Sequence, residues 1–136
     1  WPDRWAKGQN LYDFKSACKV YRGAKISLGD SQWPDSGFVS NRVFQALAAG
    51  GAALAHQYFR DMDKLGLIDG QTCIVWQDTR ELERKIKYYL AHEDERRRIA
   101  QAGERLALEE HSFDVRVREL LAMLEMEAEI EENWRW

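Results

Sequence analysis

The residues best placed to do chemistry lie between Asp35 and Gly51, in the string DSGFVSNRVFQALAAGG. Gly37 supplies a flexible loop that feeds a helix. The N–H groups at the start of that helix, from Phe38 through Val39, Ser40 and Asn41 to Arg42, have no intrahelical carbonyl to bond. Such a terminus carries partial positive charge and attracts anions. With Arg42 beside it, the segment predicts a cradle for a phosphate or pyrophosphate at the carboxyl end of a strand. One turn on, Gln45 points the same way as Arg42 and offers a hydrogen-bonding side chain to a ribose or sugar hydroxyl. The same residues also fit a plainer role, a surface helix with Ser40 or Asn41 as its N-cap and Arg42 in solvent.

Other chemistry-bearing residues lack a matching pattern. His56, His92 and His111 have neither an i, i+4 partner nor cysteines or carboxylates at ligand spacing, so no metal site is expected. His92 reads as a helix-end or capping residue. Cys18 and Cys73 stand far apart without a CxxC spacing, and read as small core residues in a reducing compartment. The run Arg96, Arg97, Arg98 follows Glu93, Asp94 and Glu95, which predicts a solvated helix face with i, i+3 and i, i+4 pairs. With a net charge of −3, the chain is not expected to bind nucleic acid. No GxSxG string or P-loop is present, so hydrolase and phosphoryl-transfer chemistry find no support.

The elements that must position these residues follow from periodicity. The chain has 136 residues, the size of one ordinary domain, and is 45% apolar and 32% charged, as folded proteins are. Its longest apolar run, around Ala46 to Ala55, is too short to span a membrane. Leu11, Phe14, Ala17, Cys18 and Tyr21 follow helical spacing up to Gly23. A strand alternates Ile26 and Leu28 with polar neighbours, and the turn-rich DSQWPDSG comes next. In the following helix Val43, Phe44, Leu47 and Ala48 form one face, ended by Gly50 and Gly51. AALAH reads as a buried strand, YFRDMDKLGL as a short helix closing at Gly66, and TCIVW as a third strand. Asp78 or Thr79 caps a helix with Leu82, Ile86, Tyr89 and Leu90 inward. Another helix opens at His92 or Asp94 and carries Ile99, Leu106 and Ala107. The last one carries Phe113, Val117, Leu120, Leu121 and Leu124, with Leu120, Leu121 and Leu124 packed. Strands alternating with helices in this way predict an α/β fold, a Rossmann-like parallel sheet flanked by helices, with a helical tail.

The strings SNRVF.ALA.GG and YYL.H..ER..IA..G, together with AKISL, WPDSGF and LEEHSF, resemble the carboxyl-terminal domain of the CgeB-like glycosyltransferases, a bacterial family of two-domain GT-B architecture. The resemblance runs from about Trp1 to Leu124. It implies a domain that binds a nucleoside-diphosphate sugar as donor substrate, without a metal or other cofactor, in a cleft facing an amino-terminal domain. In related GT-B enzymes, two glutamates eight positions apart flank this loop and helix. By position the first falls on Gly37 and the second, which binds ribose hydroxyls, on Gln45. The CgeB-like pattern has glycine at the first place and glutamate at the second, so Gln45 is the departure; it keeps hydrogen bonding but loses the charge. By this resemblance the donor diphosphate, sugar and ribose are held by Gly37, Phe38, Val39, Ser40, Asn41, Arg42 and Gln45.

The same resemblance predicts a retaining transferase that acts in the cytoplasm on an acceptor held by the amino-terminal domain. A chain starting at WPDRW, without an initiator Met and, by the resemblance, after that domain's first strand, is expected to be inactive without this partner. The alternative is a Rossmann-like binding module that has lost catalysis. Residues 1–124 are expected to form the donor-binding domain and residues 125–136 an acidic helical tail. Trp1, Trp5, Trp134 and Trp136, clustered at the two ends, predict apolar surface there and self-association when the partner domain is absent.

Overall fold

The structure, a computed structural model, describes residues 14–31 and 33–124. Helix α1 spans Phe14–Gly23 and leads into β1, Ile26–Gly29. A single 3₁₀ turn, Pro34–Ser36, precedes α2, Asn41–Ala49, and then β2, Ala53–Gln57. After another 3₁₀ turn, Asp63–Leu65, come β3 (Ile74–Trp76), α3 (Thr79–Ala91), α4 (Glu93–Glu110) and α5 (Phe113–Met123). The strands form a parallel sheet in the order β1-β2-β3, with Gly29 opposite His56 and His56 opposite Val75. This is the α/β, Rossmann-like arrangement expected from the alternation of strands and helices.

Two layers of side chains sandwich the sheet. On one face Leu54 meets Val43, Ala46 and Leu47 of α2, together with Phe59, Met62, Leu67 and Leu106. On the other, Ala53, Ala55 and Ile74 meet Tyr89 of α3 and Ile99 and Ala100 of α4. The first four residues of β2 are buried, as expected for a strand covered on both faces. Helix ends follow the local chemistry. Gly50, at φ 70°, closes α2, and its N–H donates to the Leu47 carbonyl at 3.0 Å. Asp78 caps α3 by accepting from the N–H groups of Arg80 and Glu81, each at 2.9 Å. Glu81 in turn accepts from the Gln77 N–H at 2.9 Å, and that bond and Lys85 hold its carboxyl below the usual carboxylate range.

Several expectations need correction. Ile26 and Leu28 do share a face, but the helices there cover Ile26 and leave Leu28 62% exposed, while Ser27 is buried on the α2 side. In α2 the fully buried face is Val43, Ala46, Leu47 and Ala49, with Phe44 and Ala48 at its margin. The segment from Tyr58 to Leu67 forms only the 3₁₀ turn before Gly66, and Leu90 of α3 is exposed. Arg96 does not belong to a solvated face: it is 4% exposed and donates through Nη1 to the Lys25 carbonyl at 3.2 Å, while Arg97 and Arg98 stay in solvent.

The last helix departs most. Phe113, Val117, Leu120 and Leu124 are exposed, and α5 has no buried residue. α2 packs one face of the three-stranded sheet and α3 and α4 the other, and α5 adds no buried residue to either core cluster. Leu11, the terminal tryptophans and the acidic tail lie outside the described residues.

Candidate functional site

A cleft of about 390 Å³ opens at the carboxyl edge of β1 and β2, under the amino terminus of α2. Its floor is Gly29 at the end of β1, Asp30 and Ser31 after it, and His56 in β2; its wall is Phe38, Val39, Ser40 and Arg42 at the start of α2. In parallel α/β folds this edge is where loops and helix termini converge on ligands. Ser40 is the N-cap, in extended conformation, and its Oγ accepts from the Arg42 N–H at 3.3 Å. The loop before it is braced by Ser36, whose Oγ donates to the Trp33 carbonyl at 2.8 Å and accepts from the Phe38 N–H at 3.1 Å. Two of the five N–H groups expected at the cradle are therefore used internally. Those of Val39, Ser40 and Asn41 have no partner among the described residues, and Val39 and Ser40 stand in the cleft wall.

The predicted residues are thus partly brought together. Phe38, Val39, Ser40 and Arg42 line the cleft, with Arg42 exposed at its side. Gly37 does not line it. At φ 70° it makes the left-handed bend that turns the chain into α2, a conformation costly for any other residue. Asn41 is exposed and Gln45 half-buried, both on α2 but outside the cleft lining. Arg60 comes alongside the loop: its N–H donates to the Pro34 carbonyl at 2.8 Å, and its Nη2 stands 3.8 Å from where a Cβ on Gly37 would be. Trp33 and Phe38, both more than half exposed, meet edge to face with ring centroids 6.4 Å apart beside the cleft.

Arg60 and His56 had no signal in local spacing, since each reaches the site only through the fold. His56 is 4% exposed, and its Nδ1 lies 2.6 Å from the Gln57 carbonyl. Burial holds its pKa below the ordinary histidine value, against the opposing pull of the Gln57 carbonyl and the Asp30 carboxylate. His92 does sit between helices, with Nδ1 2.8 Å from the Tyr88 carbonyl and its ring stacked on Tyr88. His111, with Nε2 2.9 Å from the Leu65 carbonyl, ends α4. Among the described residues no group of three or more His, Cys, Asp or Glu is placed to hold a metal ion, and no helix is long and apolar enough to cross a membrane.

N–H donors with no partner among the described residues, a neighbouring arginine, and the Asp30 carboxylate and His56 ring on the floor are groups able to bond phosphate oxygens and hydroxyls. The chain belongs to a glycosyl transferase-like family, whose sequence model matches residues 1–122. No curated protein and no solved structure matches it.

Proposed function

We propose that this chain is the donor-binding domain of a glycosyltransferase, the CgeB-like carboxyl-terminal half of a GT-B enzyme, and that it takes a nucleoside-diphosphate sugar. One observation carries the reading in a chain of this family: the cleft at the carboxyl edge of the sheet is walled by the amino terminus of α2, with N–H groups beside Arg42 that have no partner among the described residues. The diphosphate lies against Val39, Ser40 and Asn41, and Arg42 neutralises it. Gly37 gives the loop its bend, Phe38 flanks the ligand, and Gln45, one turn along α2 beyond the cleft lining, bonds ribose hydroxyls that project past the wall. As the bond to the sugar breaks, negative charge grows on the leaving diphosphate, and donors already aimed at it lower the barrier. The acceptor is held by an amino-terminal domain, transfer retains configuration, as the resemblance implies for its nearest relatives, and the reaction takes place in the cytoplasm. Neither metal nor cofactor is required.

Calorimetric titration with UDP, GDP and their glucose conjugates tests this. Binding that weakens about tenfold in Arg42→Ala, the loss of one charge-assisted bond to phosphate, is the expected result. No binding to any of these at millimolar concentration would overturn the proposal.

A further inference from the structure

The floor of the cleft holds a buried histidine that the phosphate cradle does not use. The Cδ2–Nε2 edge of His56 lies over Gly29: a Cβ built there would stand 2.3 Å from Cδ2 and 3.0 Å from Nε2. Only glycine at position 29 therefore lets the ring occupy the floor. The ring is fixed from two further sides, by Phe59 edge-on at 5.4 Å and by the Gln57 carbonyl at Nδ1. A carbonyl only accepts, so Nδ1 bears the proton and, in the neutral ring, Nε2 carries a lone pair. Nε2 makes no hydrogen bond among the described residues. The other titratable or charged groups lining the cleft are Asp30 after β1, Arg42 on α2 and the phenol of Tyr21 on α1.

The cleft is therefore polarised. Its wall, at the start of α2, presents N–H groups and a guanidinium. Its floor presents the Nε2 lone pair and the Asp30 carboxylate. A phosphate oxygen against the His56 Nε2 lone pair or the Asp30 carboxylate would meet an acceptor, whereas a hydroxyl can donate to either. We propose that His56 is a specificity-determining residue whose Nε2 accepts a hydrogen bond from a hydroxyl of the donor, either on the ribose or on the sugar to be transferred, and that Gly29 positions it by leaving it room. This deepens the donor-binding reading and rests on it.

Titrations with pyrophosphate, UDP and UDP-glucose, repeated with GDP and GDP-glucose, separate the two claims. In His56→Phe, pyrophosphate affinity is expected to stay as in the wild type, and affinity for the hydroxyl-bearing ligand to fall about tenfold. A loss already present with the nucleoside diphosphate assigns the ribose hydroxyl; a loss confined to the nucleotide sugar assigns the sugar hydroxyl. Gly29→Ala, which displaces the imidazole without removing it, is expected to show the same loss and serves should the phenylalanine variant not fold. Acidification supplies a second readout. Below the ordinary histidine range Nε2 gains a proton and ceases to accept, so the wild-type advantage over His56→Phe should vanish there.

Equal affinities of wild type and both variants for every ligand, or an equal loss extending to pyrophosphate, would overturn the role of His56 while leaving the phosphate cradle standing. Failure of the wild type to bind any of the ligands would overturn both.

Discussion

Replacing Gly103 by alanine should destabilise this chain, although the position is in the middle of a helix. In an open helix the change gains roughly 1 kcal/mol, because alanine has the better propensity. Here a Cβ would stand 2.5 Å from the Thr72 carbonyl oxygen and 2.7 Å from Cδ2 of Leu47. Leu47 is at the centre of the core between α2 and α4, and can give only by disturbing its neighbours. Thr72 is pinned as well: its hydroxyl donates to the Gly66 carbonyl at 2.6 Å and accepts from the Ile68 N–H at 2.8 Å, and its own N–H reaches the Ile68 carbonyl at 3.1 Å. Overpacking against atoms that cannot retreat costs roughly 1–3 kcal/mol, and two contacts on unyielding partners place Gly103 at the upper end of that range. Set against the propensity gain, the net loss is about 1–2 kcal/mol. For a domain of this size that is a fall of about 3–10 °C in Tm. Thermal unfolding followed by circular dichroism measures it. Gly23→Ala is the control, since nothing lies within 4 Å of a Cβ at the end of α1, and its Tm should hold or rise. A Gly103→Ala chain that melts at or above the wild-type temperature would refute the reasoning.

Asp78→Ala should cost about 1 kcal/mol in urea unfolding, because it orphans the two N–H groups that Asp78 caps; an unchanged midpoint would mean that water replaces the carboxylate without loss. Cys73 is fully buried, and its thiol is pushed up to about 12, chiefly by burial with help from the Asp69 charge. A disulfide reagent at pH 8 should therefore modify the half-buried Cys18 in the native chain and reach Cys73 only after denaturant is added. Rapid labelling of Cys73 in the native state would contradict the packing described here.

Legibility in the sequence tracked how local each feature is. The Gly50 stop, the Ser40 and Asp78 caps and the apolar run of β2 depend on residues within a few positions of one another, and each was readable. The start of the cleft was readable for the same reason, since N-cap and helix terminus are neighbours in the chain. Arg96 was misread because the carbonyl it bonds, on Lys25, is 71 positions away. The apolar stripe of α5 has proper helical spacing, yet periodicity says only that a face is apolar, not that a surface exists to meet it.

The sequence by itself therefore determined the strands and the α-helices in their order, the α/β class and the loop-to-helix junction that could hold an anion, since backbone preference and hydrophobic period act over a few residues. Only the tertiary structure decided that His56, Gly29 and Asp30 form a floor beneath that junction, that Arg60 stands beside the loop, and that Gln45 lies outside the cleft. The floor comes from the parallel register that sets Gly29 against His56, a pairing across 27 residues with no local trace in the chain.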